Sequence, residues 1–143
     1  MDKDVSKLSG GELQRVAITL CLATEADIYL FDEPSAYLDS NQRMNAAKTI
    51  RRMMEKTGKS AMIVDHDTYF LDMVSDSMMV FGGDPGHNGI GDGPFDMREG
   101  MNKFLNAVDI TFRRDADTHR PRINKPDSRL DREQKSKGEY YYA

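Results

Sequence analysis

The sequence predicts an α/β fold with a parallel sheet, followed by a polar tail. Three observations point there. Short apolar runs within "DIYLF", "SAMIV" and "SMMVF" alternate with stretches whose apolar residues recur at helical spacing. The first two runs end in "DEP" and "DHD", as buried strands do when they feed a loop at the carboxyl edge of a sheet. Past Phe81 the composition turns rich in glycine and proline, and then polar and basic.

The elements follow in order. Ser9 and Glu12 have the S-x-x-E spacing of a capping box, so a helix starts at Ser9. Leu13, Val16, Ala17, Leu20 and Cys21 fall on one side and are its expected buried face. Ile28 to Phe31 is a buried strand. A second helix runs from near Ser40 to Lys56, burying Met44, Ala47, Ile50, Met53 and Met54, and Gly58 stops it. "SAMIVDHD" is a second strand, Tyr69 to Ser75 a short helix, and "SMMVF" a third strand of the same sheet. "GGDPGHNGIGDGP" reads as a loop. "MREGMNKFLNAV" reads as a helix with Met97, Met101, Phe104, Leu105 and Val108 as its apolar set. Beyond "ITFRRD" few apolar anchors remain, so the rest is expected to be extended or ordered only conditionally. The expected division is 1–82 for the α/β part and 83–143 for the glycine-rich loop, one helix and a basic tail.

Composition bounds the function. The net charge is −4. Residues 1–110 hold 11 Lys/Arg against 18 Asp/Glu, and residues 111–143 hold 9 against 6. A basic tail behind an acidic body suits RNA, other phosphates or the acidic body itself, and a merely solvated tail fits the charge equally well. Cys21 is the sole cysteine, which excludes an internal disulfide, and an iron–sulfur cluster or cysteine-ligated zinc held by this chain alone. No apolar run approaches the ~20 residues of a membrane helix, and the first ten residues lack the apolar core of a secretory signal. The expected location is the cytoplasm, away from membranes.

Certain residues are typed for phosphate chemistry. Asp32 and Glu33 end a strand, where Asp32 can help hold Mg²⁺ through water and Glu33 can orient and polarise an attacking water. The competing reading is an acidic strand end before a proline turn. His66 ends the next strand and can donate a hydrogen bond to a phosphate, although a lone histidine is commonly structural. Ser9, Gly10 and Gly11 at a helix N-terminus present backbone N–H groups and the positive end of the dipole to an anion. An isolated S-G-G is weak evidence. The full string "LSGGELQR", then an apolar strand, Asp-Glu and a later His, is far more specific.

In that order and spacing, residues 5–82 resemble the ATP-binding cassette ATPases, within the P-loop NTPase class. Leu8 to Gln14 is similar to their signature motif and Ile28 to Asp32 to their Walker B strand. Glu33 resembles the catalytic glutamate, Ser35 to Asp39 the D-loop, and His66 the switch histidine. The resemblance implies ATP and Mg²⁺ as ligands, with Ser9, Gly10, Gly11, Glu12 and Asp39 at nucleotide, Asp32 at the metal, and Glu33 and His66 catalytic. "SAYLD" with Gln42-Arg43, together with "REGMNKFL", "ITFRRD" and the tail from Arg120 to Tyr142, resembles the ribosome-recycling class E ATPases, the RNase L inhibitor family. The "VDHD" form and the tail are similar to archaeal members. That resemblance covers essentially the whole chain, as the end of a second cassette, and implies contact with the small ribosomal subunit and a release factor.

One part of the pattern is missing. "TGKS", Thr57 to Ser60, imitates the end of G-x-x-x-x-G-K-[ST], but the leading glycine falls at Met53. A phosphate loop also follows a strand and opens a helix, whereas this segment closes a helix and opens a strand. The expectation is therefore a partial cassette domain lacking its Walker A portion, with an unpaired sheet edge, exposed apolar faces and marginal stability alone. Its partners would be an opposite cassette domain or a separately encoded front half. A non-catalytic interaction module that docks through its tail is the alternative, and a transporter cassette fits the tail poorly.

Overall fold

The computed structural model describes residues 4–84, 86–117 and 121–141. The chain forms two compact units, Met1–Val74 and Ser75–Ala143.

The first unit contains helix α1 (Gly10–Ala23), strand β1 (Ile28–Asp32), helix α2 (Ser40–Thr57), strand β2 (Ser60–Val64) and helix α3 (Thr68–Val74). β1 and β2 pair in parallel, with Asp32 opposite Val64. The crossover between them is α2, as parallel pairing requires. Tyr29 and Phe31 point to one side of β1 and join Ile18, Leu22, Leu38, Ala46, Ala47, Ile50, Phe70 and Val74 in a core. Met53, Met54 and Cys21 pack on its margin. Gly58 takes φ 66 as the left-handed cap of α2, and Lys59 pairs with Asp27 at 2.7 Å. The phosphate-loop mimic is thus a helix stop, and its lysine is committed to a carboxylate.

The buried face of α1 differs from expectation. Ile18 and Leu22 are buried, while Leu13, Val16 and Leu20 are exposed, Leu20 by 64%. The helix is apolar on two sides, and periodicity alone did not identify which one meets this core. The sheet shows the same feature. Ile28, Leu30, Met62 and Val64 form a second, open side, with Leu30 exposed by 70%. Parallel sheets are normally covered on both faces.

The second unit contains strands β3 (Ser77–Asp84) and β4 (Asn88–Asp96), helix α4 (Met97–Ala107), strands β5 (Phe112–Arg114) and β6 (Pro121–Ile123), and helix α5 (Arg129–Lys137). β3 is not a third strand of the parallel sheet. It pairs with β4 in an antiparallel hairpin, which also replaces the expected glycine loop. Glycine permits the close strand approach: at Gly83, φ 103, an added Cβ would lie on the backbone of Asn88. Pro85, in that segment, lies outside the described residues.

Asp96 caps α4 by accepting from Glu99 N. Met101 and Leu105 are buried with Phe112 and Tyr141, whereas Val108 is exposed. The tail, expected to be extended or ordered only conditionally, is folded around polar side chains. Thr111, Asn124, Asp131 and Gln134 are all buried. The Thr111 hydroxyl donates to Asp131, and Asn124 donates to Thr111 and to Gln134. Gln134 Nε2 donates to the Phe112 and Glu139 carbonyls at 2.8 and 2.9 Å. Buried polar groups that satisfy one another specify a fold without apolar residues to announce it. No helix among the described residues is long and apolar enough to cross a membrane.

Candidate functional site

The candidate residues lie in the first unit. Ser9 is the N-cap of α1. Its hydroxyl accepts from Glu12 N at 3.3 Å, and its own N–H donates to Glu12 Oε2 at 2.9 Å. The capping box is complete, so Glu12 acts here on its own helix. Gly10 and Gly11 head α1, where backbone N–H groups have no intrahelical acceptor. Both glycines are packed from outside. A Cβ at Gly11 would lie 2.8 Å from the Tyr37 carbonyl oxygen and 3.1 Å from Gln42 Oε1, and one at Gly10 would lie 3.3 Å from the Tyr37 ring.

Asp32 is the last residue of β1 and is exposed. Glu33 follows with φ 46, in the left-handed region that a non-glycine residue seldom occupies. Its backbone is pinned on both sides. Glu33 N donates to the Val64 carbonyl at 2.7 Å, and Gln14 Nε2 donates to the Glu33 carbonyl at 3.1 Å. His66 stands just beyond β2. Because the strands are parallel and in register, the two carboxyl ends meet, with Glu33 Oε1 3.5 Å from His66 Nδ1. Both side chains are largely exposed.

Asp39, expected at nucleotide, caps α2 by accepting from Gln42 N at 2.8 Å. Composition and spacing passed over Asp65 and Asp67, which organise the loops around the pair. Asp65 accepts from Ser35, and Asp67 pairs with Arg43 at 2.7 Å. The only sequence signal for them was two further acids flanking His66.

The residues fit Mg²⁺ and nucleotide as contributors. Among the described residues no three His, Cys, Asp or Glu side chains gather into a metal-binding group. Asp32 alone at a strand end is the kind of donor Mg²⁺ takes together with phosphate oxygens and water. The head of α1 suits an anion through its backbone donors. Gln14 Nε2 links the signature helix to the Glu33 segment through the Glu33 carbonyl.

Residues 1–36 match the family model described as ABC transporter. The chain is 54% identical over 143 residues to an uncharacterized ABC transporter ATP-binding protein of Methanocaldococcus jannaschii, covering all of this chain and 24% of that protein. It is 51% identical over 142 residues to translation initiation factor rli1 of Schizosaccharomyces pombe, covering 99% of this chain and 24% of that protein. Among solved structures, it superposes with a TM-score of 0.92 and 59% identity on the complex of archaeal ribosomal stalk protein aP1 and archaeal ribosome recycling factor aABCE1, covering 99% of this chain and 28% of that one. A structure described as RNase-L Inhibitor gives a TM-score of 0.91 at 60% identity, covering 99% of this chain and 27% of that one. The chain spans about a quarter of the length of the curated relatives it matches.

Proposed function

Because the chain belongs to the RNase L inhibitor family of cassette ATPases, as a segment about a quarter of its relatives' length, we propose that it is the catalytic-carboxylate and signature part of an ATPase that acts in ribosome recycling. The observation that carries this reading is the Glu33–His66 pair, held 3.5 Å apart where two parallel strands end.

The roles follow from position. Glu33 Oε1 would orient a water and accept its proton, as a carboxylate at a strand edge can. His66 would be turned by Glu33 and present its other ring nitrogen as a donor toward phosphate. Asp32 would help hold Mg²⁺. When bound, ATP with Mg²⁺ supplies the phosphoryl group that reacts and the cation that offsets its charge. Ser9, Gly10 and Gly11 would face a nucleotide held by an opposite cassette domain, with Glu12 and Asp39 shaping the loops that reach it. The sequence contains no Walker A loop, so the lysine and nest of N–H groups that dominate phosphate affinity must come from elsewhere. The open sides of α1 and of the β1–β2 sheet are where the rest of a cassette domain would pack. The ribosome, and the stalk protein bound by the archaeal relative, enter as partners of the complete assembly.

The test is ATP turnover by the chain combined with a front segment carrying a phosphate loop. Glu33→Gln is expected to lower kcat at least about a hundredfold, in the usual range for removing a general base. Unchanged turnover in Glu33→Gln would defeat the reading. A non-catalytic docking role for the second unit is favoured by one observation: Lys125, Arg129 and Arg132 are exposed on a folded frame. In that case Glu33→Gln would change nothing, and charge reversal on α5 would abolish association with the ribosome.

A further inference from the structure

We propose that Asp65 is a positioning residue that sets the separation of Glu33 and His66, a role that rests on the reading of that pair given above. Asp65 immediately precedes His66 and reaches across to the loop after Glu33. Its Oδ2 accepts from Ser35 N at 2.9 Å. Its Oδ1 accepts from Ser35 Oγ and from Asp67 N, both at 2.8 Å. One carboxylate therefore ties two loops with three donors, and bonds to an ionised acceptor are the stronger kind. The tie is not at the surface on the Ser35 side: Pro34 and Ser35 are both buried.

The need for a clamp comes from Glu33. Its φ of 46 is a conformation that persists only where the surroundings hold it. On its amino side the strained residue is fixed by the sheet, since Glu33 N donates to the Val64 carbonyl. The Glu33 carbonyl is held by Gln14 and by Ala36 N. Ser35, two residues on, is fixed by Asp65. On the other side, Asp67 is held by Arg43 and accepts from Tyr69 N and Phe70 N at the start of α3. His66 thus sits between two anchored acids, and its distance from Glu33 is set by what Asp65 grips.

A carboxylate is required, and an amide of the same shape would not serve. All three donors point at Asp65, so either orientation of an asparagine would set an NH₂ against at least one of them. Asp65→Asn keeps the volume and breaks the clamp.

Two measurements test this. In the first, amide hydrogen exchange is followed on this 143-residue chain. Asp65→Asn is expected to speed exchange across residues 33–38 about tenfold relative to residues 28–32, the loss of one charge-assisted bond. Equal protection in the variant would overturn the proposal. Ser35→Ala, which removes one of the three donors, serves if Asp65→Asn does not fold; it is expected to accelerate the same amides less, and no acceleration would again overturn the clamp. In the second, ATP turnover is measured in the assembly that restores it. Asp65→Asn is expected to lower kcat about tenfold, with KM for ATP within about twofold, because misplacing a reacting pair costs rate more than binding. An unchanged kcat, or a loss confined to KM, contradicts the role. If Glu33→Gln leaves turnover intact, the catalytic reading has failed, and the exchange measurement still decides whether Asp65 sets the loops.

Discussion

At the residue scale the site depends on small clearances. Gly11 is the clearest case, with the Tyr37 carbonyl 2.8 Å from where a Cβ would be. Backbone cannot yield as a side-chain end can, so Gly11→Ala should push α1 away from the loop that holds Glu33. The expected outcome is a loss of ATP turnover in the assembly together with a lower melting temperature, checked by turnover and a thermal melt. Gly10→Ala, which meets a ring edge at 3.3 Å, should do less. Sequence alone could name Ser9, Gly10, Gly11, Glu33 and His66, because each belongs to a pattern with a physical meaning. It could not name Tyr37 or Asp65 as neighbours, because their contacts are made across the chain, 26 and 30 residues from Gly11 and Ser35 in turn.

Elements succeed or fail on their ends and faces. The capping box at Ser9 was legible because capping is local, and the structure completes both of its hydrogen bonds. Ser9→Ala should cost about 1 kcal/mol, read as a shift in chemical denaturation of the first unit. The buried side of α1 was not legible, since Ile18 and Leu22 compete with an equally apolar opposite side. The glycine-rich segment misled for another reason: glycines read as loop when they in fact allow two strands to pair closely.

The tail is the sharper lesson. Its core rests on Thr111, Asn124, Asp131 and Gln134, residue types that look solvated in sequence. Asp131 is held below the ordinary carboxyl value of 3.8, chiefly by the Thr111 hydroxyl, aided by the Asp127 N–H and Lys135 against the opposing effect of burial. A carboxyl whose pKa is depressed by folding contributes stability above its unfolded pKa, and that contribution is lost as pH falls through the folded value. The second unit should therefore be less stable at pH 7 in Asp131→Asn, and its acid-induced loosening below about pH 4 should largely disappear in that variant. Near-ultraviolet circular dichroism between pH 2 and pH 7 would follow it through Tyr140 and Tyr141.

For the whole molecule, the meaning of the fold lies in what is left open. The β1–β2 sheet is covered on one side, and Ile28, Leu30, Met62 and Val64 face outward on the other. A surface of this kind invites association. The chain alone should aggregate more readily than it does with a phosphate-loop segment present, a difference that light scattering would report. The fold class was readable because strand–helix alternation and the Asp-Glu strand end are strong signals. The third strand was misplaced because "SMMVF" is equally apolar whether it joins a parallel sheet or a hairpin.

On the proposed reading, this chain contributes a catalytic carboxylate to one ATP site and a signature to the opposite one, and holds ATP at neither by itself. Calorimetric titration of ATP–Mg²⁺ tests it most directly, on the chain alone and again with a segment carrying a phosphate loop. No measurable binding to the chain alone is expected, and saturable binding once the loop is supplied. Tight, saturable binding of ATP–Mg²⁺ to the chain alone would contradict it.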